Sequence, residues 1–135
     1  MNFNKEKKEF LEKEDKSRKG FVDKKIKKLV DKINSLDDFF TTSSCSGRVL
    51  IATIPKPNKK NEVRYLFNLH DKVKNNEIRK ILETDWPKGD VWFRVDGTII
   101  HIASKNIEKA KKLMNIARDI GFRRSGIISM GKNRI

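Results

Sequence analysis

The run Val49 to Ile54 constrains this chain most. These six residues, Val-Leu-Ile-Ala-Thr-Ile, carry no charge, and Pro55 and Pro57 follow at once. So short an uncharged run, closed by residues that cannot donate to a sheet ladder, reads as a buried strand. After a polar loop, Lys56 to Asn61, the residues Val63, Tyr65, Phe67 and Leu69 alternate with Arg64, Leu66 and Asn68. That alternation is a second strand, running to His70. Strand, polar loop and strand together predict a hairpin.

The remaining segments fall into place around this pair. Residues 2 to 14 are rich in Lys and Glu, with Phe3, Phe10 and Leu11 spaced to share one helical face. Val22, Ile26, Leu29, Ile33 and Leu36 recur at steps of four and three, an amphipathic helix with a lysine-rich outer face. Lys72 to Glu83 is a weaker helix built on Val73, Ile78, Ile81 and Leu82. Val91 to Val95 and Thr98 to Ala103 read as strands joined by Asp96-Gly97, a dipeptide that tolerates positive φ and signals a tight hairpin. Ser104 or Asn106 can cap a helix bearing Ile107, Ala110, Leu113, Met114 and Ala117 on one face. Gly121 ends that helix, with Phe122 folding back onto its last turn. Ile127-Ile128 is expected to form a last strand.

The order α-α-β-β-α-β-β-α-β mixes hairpins with helices and does not alternate strand and helix regularly. The expected fold is therefore α+β, one domain over residues 1–135, with a mixed or antiparallel sheet flanked by about four helices. No GxGxxG follows a strand and no Walker-type glycine-lysine loop occurs. A Rossmann nucleotide site is not expected.

Composition narrows the partners. The chain has 135 residues, 32 basic against 18 acidic side chains, and a formal charge of +14. Such an excess on one small domain points to a polyanion, most often nucleic acid; a lysine-rich surface without that meaning is the alternative. From Lys105 to Arg134 there are nine Lys or Arg against Glu108 and Asp119. Cys45 is the only cysteine, which excludes an intrachain disulfide and a four-cysteine zinc site and fits a reducing cytoplasm. The longest apolar runs fall far short of the ~20 residues of a membrane span, and no signal peptide opens the chain, so a soluble cytoplasmic protein with no membrane partner is expected.

Three places carry candidate chemistry. Thr41-Thr42-Ser43-Ser44-Cys45-Ser46-Gly47-Arg48 puts six hydroxyl or thiol side chains before a glycine and an arginine. Such a stretch can turn backbone N–H groups and hydroxyls toward one ligand, and Arg48 adds a planar fork for a carboxylate or phosphate. A plain turn between elements is equally compatible. Lys16, Arg18 and Lys19 cluster around Ser17 and Gly20, as a phosphate-contacting turn at a helix N-terminus would. Arg123 and Arg124 beside Ser125-Gly126 repeat that chemistry. Trp86, Trp92 and Phe93 could stack on unpaired bases or lie in the core. His70 and His101 are the only histidines. Their spacing to Cys45 supports no metal site, and none is expected.

Together these residues resemble the tRNA wybutosine-synthesising protein 3 family. The resemblance rests on Asp15-Lys16-Ser17-x-Lys19-Gly20-x-Val22-Asp23, the octet Thr41 to Arg48, His70, Trp92-Phe93-Arg94 followed by Ile100-His101, and Ala117-x-x-x-Gly121-Phe122-Arg123-x-Ser125-Gly126, all in one order. It implies an S-adenosylmethionine-dependent methyltransferase acting on tRNA-Phe. The expected reaction methylates the N(4) ring nitrogen of 7-(3-amino-3-carboxypropyl)-4-demethylwyosine, just 3′ of the anticodon. On that reading Ser43, Ser44, Cys45, Ser46, Gly47, Arg48 and Ser125 line the cofactor and substrate pocket. His70 and His101 take or relay the proton lost from nitrogen, and Lys16, Ser17, Lys19, Arg123 and Arg124 contact tRNA phosphate or the cofactor. The resemblance also implies that a family segment beyond the position of Ile135 is missing here. Two other classes remain in view: a non-catalytic basic RNA-binding module, and a hydrolase using Cys45 as nucleophile.

Overall fold

The computed structural model describes residues 2–13, 22–54, 63–84, 86, 89–131 and 134–135. Lys16, Ser17 and Lys19 lie outside the described residues. The element order is α1 (Phe3–Glu12), α2 (Lys27–Asn34), β1 (Phe39–Cys45), β2 (Arg48–Ile54), β3 (Arg64–Leu69), α3 (Asn75–Leu82), β4 (Asp90–Asp96), β5 (Ile99–Ser104) and α4 (Ile107–Asp119). The fold is α+β, and none of its described helices is long and apolar enough to cross a membrane. The chain divides into two compact units, residues Met1–Ser44 with Ile100–Ile135, and Cys45–Ile99.

The first unit gathers α1, α2 and α4 with the paired strands β1 and β5. Asn2 starts α1 by accepting the Lys5 N–H at 3.0 Å, filling one of the donors a helix start leaves open. Phe40, fully buried, is the centre of the core, with the Phe3 and Phe10 rings 5.4 and 5.3 Å away. The Arg134 guanidinium lies 5.1 Å from the Phe10 ring and pairs with Glu6 through Nε at 3.2 Å. Leu11, expected on the same face as Phe3, is exposed.

Helix α2 is shorter than its apolar pattern and is rotated from it. Ile26, Val30 and Ile33 are buried, whereas Leu29 and Leu36 are exposed. Steps of four and three fit 26-30-33 as well as 26-29-33, so spacing alone does not choose between Leu29 and Val30. In α4 the five apolar positions Ile107, Ala110, Leu113, Met114 and Ala117 are all half-buried while the residues between them are exposed. Asn106 accepts the Lys109 N–H at 3.0 Å to start the helix. At its end Phe122 N–H donates to the Ala117 carbonyl at 2.8 Å and Gly121 N–H to that of Arg118 at 3.0 Å, with Gly121 at φ +106. This is the double-bonded glycine C-cap that satisfies two terminal carbonyls.

The expected last strand at Ile127-Ile128 does not form; both side chains are exposed and the segment has no strand pairing. The Arg118 guanidinium instead ties this region down by donating twice to the Ser125 carbonyl, at 3.0 and 2.8 Å. The residue that pairs beside the end of β5 is Ile135, through reciprocal backbone bonds to Ser104 at 2.8 and 2.9 Å.

The second unit is an antiparallel sheet in the order β3-β2-β4 with α3 beside it. Strand β2 is central, and Leu50, Ile51, Ala52 and Thr53 are all buried. An uncharged run is what burial on both faces demands; each fully buried aliphatic side chain contributes on the order of 1.5–3 kcal/mol. The β2–β3 hairpin forms as expected, with a register shift that leaves Leu66 as an extra residue between Phe67, opposite Ile51, and Tyr65, opposite Ala52. In α3 the Glu77 carboxylate reaches back to the Lys74 N–H at 2.8 Å.

Asp96-Gly97 does not make the expected hairpin. Strand β4 pairs with β2, and β5 pairs with β1, so the dipeptide links strands of two different sheets. A two-residue type I′ turn needs positive φ at both central residues. Neither Asp96 nor Gly97 has it.

Candidate active site

The octet is mostly strand. Thr41 to Cys45 belong to β1, and the turn is confined to Ser46-Gly47 before β2 starts at Arg48. Alternating Thr and Ser suit a half-exposed strand as well as a loop, which is why composition pointed to the wrong local state. Thr41 donates its N–H and its hydroxyl to the Asn34 side-chain oxygen at 2.7 and 3.1 Å. Thr42 donates to the His101 carbonyl at 3.5 Å. Ser43 is exposed and Ser44 half-buried.

The other half of the octet belongs to the second unit and is built against the start of the 96–98 segment. Gly47 has φ +104, and a Cβ placed there would sit 2.7 Å from the Asp96 carbonyl oxygen. Only glycine combines that backbone angle with that approach. Thr98 donates its hydroxyl to the Ser46 carbonyl at 3.2 Å. Arg48, opposite Asp96 in the β2–β4 register, donates through Nε to Oδ2 of Asp96 at 3.2 Å. Arg94 donates through Nη2 to the other carboxylate oxygen at 2.8 Å. The Arg48 guanidinium carbon also lies 5.8 Å from the Tyr65 ring centre.

Cys45 and His70 meet, Sγ to Nδ1 at 3.3 Å, although 25 residues separate them. The remaining site candidates belong to the first unit. His101 is exposed on β5, Arg123 and Arg124 are exposed after α4, and Ser125 is half-buried with its carbonyl bound by Arg118.

The donor set fits the cofactor and substrate that the resemblance implies. Arg48 offers a planar cation for an aminocarboxylate group, and the turn before it supplies a hydroxyl and a glycine, with the Cys45 thiol at the end of β1, without a competing lysine or glutamate. The residues that local reasoning missed are Asp96 and Thr98. Both fall within the expected hairpin, whereas Asp96 is the acceptor that orients two arginines. Alternation along β4 was the available signal, since it puts Trp92, Arg94 and Asp96 on one side of the strand.

A family model described as Methyltransferase TYW3 matches residues 5–135. A Thermococcus sibiricus protein named tRNA(Phe) 7-((3-amino-3-carboxypropyl)-4-demethylwyosine(37)-N(4))-methyltransferase is 38% identical over 135 residues, which cover 99% of this chain and 68% of that protein. An Archaeoglobus fulgidus protein of the same name is 44% identical over 110 residues, covering 81% of this chain and 55% of its own length. A Danio rerio protein named tRNA wybutosine-synthesizing protein 3 homolog is 37% identical over 138 residues, covering 99% and 54%. Among solved structures, a Pyrococcus horikoshii protein superposes with a TM-score of 0.85 at 38% identity, over 98% of this chain and 69% of that one. An Aeropyrum pernix protein gives 0.69 at 28% identity, over 83% and 64%. The chain thus spans between 54% and 68% of the length of these three curated relatives. With sequence and fold both matching along nearly its whole length, the chain belongs to the Methyltransferase TYW3 family.

Proposed function

We propose that this chain carries the methyl-transfer site of an S-adenosylmethionine-dependent tRNA methyltransferase, acting on N(4) of 7-(3-amino-3-carboxypropyl)-4-demethylwyosine beside the anticodon of tRNA-Phe. The observation that carries the reading is the 38% identity, across 99% of the chain, to a protein named for that reaction. S-adenosylmethionine, when bound, supplies an electrophilic methyl group to the ring nitrogen. Because such a displacement is in line, the protein's main task is alignment.

Arg48 would hold a carboxylate, either of the cofactor or of the aminocarboxypropyl chain, and Asp96 fixes its orientation through Nε. Ser46 and Gly47 form the turn that sets where Arg48 leaves the sheet. His70 is the stronger base candidate in this unit. Its Nδ1 lies 3.3 Å from the Cys45 sulfur; acting as a base, it would use Nε2 with the proton on Nδ1. His101 is the second candidate. Arg123 and Arg124, with Lys16, Ser17 and Lys19, would contact anticodon-arm phosphates, in keeping with the charge of +14.

Incubating the purified chain with labelled S-adenosylmethionine and tRNA-Phe carrying the demethyl nucleoside tests this. Arg48→Ala should lose about 100-fold or more in methylation, the order expected when a positioned charged contact is removed. Full activity in that variant sinks the site assignment. Cys45→Ser should keep most activity, whereas a Cys45 hydrolase would be abolished. The charge alone also supports a non-catalytic RNA-binding module; calorimetry giving no heat with S-adenosylmethionine, with and without tRNA, would favour it.

A further inference from the structure

The register of the β3-β2-β4 sheet puts two half-exposed aromatic rings on either side of one alanine. Ala52 is opposite Tyr65 on β3 and opposite Trp92 on β4. Ala52 is 4% exposed, whereas Tyr65 is 52% and Trp92 51% exposed. Two strand spacings separate β3 from β4, about 10 Å across the alanine. Further along the same face come Arg94, opposite Leu50, and then Arg48, opposite Asp96. Arg94 is exposed, and the Arg48 guanidinium leans toward the Tyr65 ring at 5.8 Å.

Aromatic rings on a small-residue floor, flanked by guanidinium groups, have the chemistry of a stacking surface for unpaired bases. Two arginines share the single carboxylate of Asp96, which leaves one positive charge in excess at that end. Asp90, at the opposite end of β4, is engaged within the fold. Residues Cys45–Ile99 hold eleven Lys or Arg against seven acids, so the unit as a whole is basic. An apolar protein surface would match the rings but not the positive excess of the unit.

We propose that this face of the sheet binds a short single-stranded RNA segment, with Tyr65 and Trp92 stacking on unpaired bases and Arg94 contacting an adjoining phosphate. The proposal rests on the methyltransferase reading, in which the target nucleotide lies in a single-stranded loop, and it gives that loop a place beside Arg48.

The test uses the full chain carrying Trp86→Phe, so that Trp92 is the sole tryptophan, titrated with a seven-nucleotide RNA of anticodon-loop sequence. Trp92 fluorescence should be quenched saturably. In filter binding, Trp92→Ala and Tyr65→Ala should each weaken binding about 5- to 100-fold, the range for loss of one stacked base. Arg94→Ala should flatten the salt dependence by about one phosphate contact. Should Trp92→Ala melt far below the parent, Trp92→Leu keeps the bulk but not the ring and should weaken binding similarly. Trp92→Phe should restore most of it. Unquenched Trp92 with undiminished binding in the alanine variants would overturn the proposal, placing the RNA elsewhere. Normal RNA binding with loss of a self-association seen for the parent in sedimentation would overturn it too, making the face a protein interface. If the parent quenches with RNA but methylates no tRNA, the stacking face stands and the methyl-transfer reading falls. If Trp92→Ala methylates tRNA with an unchanged KM, the methyl-transfer reading stands and the stacking face falls.

Discussion

Replacing Gly47 by alanine tests the turn on which Arg48 depends. Two separate costs arise there. The backbone sits at φ +104, where a side chain is disfavoured by about 1–2 kcal/mol. The added methyl group would also meet the Asp96 carbonyl oxygen at 2.7 Å and the Gly97 carbonyl carbon at 3.3 Å. Both are backbone atoms, so relief requires moving the 96–97 segment, a strain of about 1–3 kcal/mol. The sum is about 2–5 kcal/mol, a large fraction of the roughly 5–15 kcal/mol that holds a typical domain folded. At about 3–5 °C per kcal/mol for a chain of this size, the melting temperature should fall by roughly 6–25 °C. Two other glycines separate the contributions. Gly121 has φ +106 but nothing within 4 Å of an added Cβ, so Gly121→Ala should cost only the backbone part, about 1–2 kcal/mol. Gly97 has neither a positive φ nor a close atom, and Gly97→Ala should be neutral or stabilise by up to about 1 kcal/mol. Thermal unfolding followed by circular dichroism should rank the variants with Gly47→Ala lowest, Gly121→Ala between, and Gly97→Ala at or above the parent. If Gly47→Ala melts no lower than Gly121→Ala, the contact with Asp96 does not constrain the turn.

Two further outcomes follow from the first unit. Phe40→Ala removes a fully buried ring that touches Phe3 and Phe10 and should cost about 3–5 kcal/mol, whereas Leu29→Ala on an exposed position should cost under about 1 kcal/mol. Comparable losses in urea unfolding would show that the buried side of α2 has been misplaced. The Asp38 carboxyl is held below its usual pKa, first by its hydrogen bond from Lys109, against burial, and then by the charges of Lys109, Lys105 and Lys7. A lowered folded pKa means a contribution that is complete above the ordinary carboxylate value, near 4, and lost as pH falls through the lowered value. Asp38→Asn should therefore melt below the parent at neutral pH, with the gap closing in acid. A gap that widens on acidification would refute the Lys109 contact.

Local pattern was enough for several elements. Helix α4 could be read from its spacing, because five apolar residues at helical period, an asparagine before them and a glycine after them all act within a turn or two. The central position of β2 follows from its uncharged run, since Leu50, Ile51, Ala52 and Thr53 can all be buried between two neighbouring strands. The α+β class, the β2–β3 hairpin and the family membership were legible for the same reason: each depends on the order and kind of neighbouring residues.

Choices among physically equivalent partners belonged to the tertiary structure. Asp96-Gly97 satisfies the chemistry of a hairpin, yet Arg48 and Arg94 draw the Asp96 carboxylate, Gly47 packs on its carbonyl, and β4 and β5 pair elsewhere. Leu29 and Val30 lie one position apart on a helix, and only the packed interior selects Val30. Cys45 and His70 meet across 25 residues, and Arg48 and Asp96 across 48. Short-range spacing encodes the period of an element and the signals that end it. It carries no term for which strand lies alongside, and that long-range choice is what brings Arg48, Asp96, Tyr65 and Trp92 onto one face of a sheet.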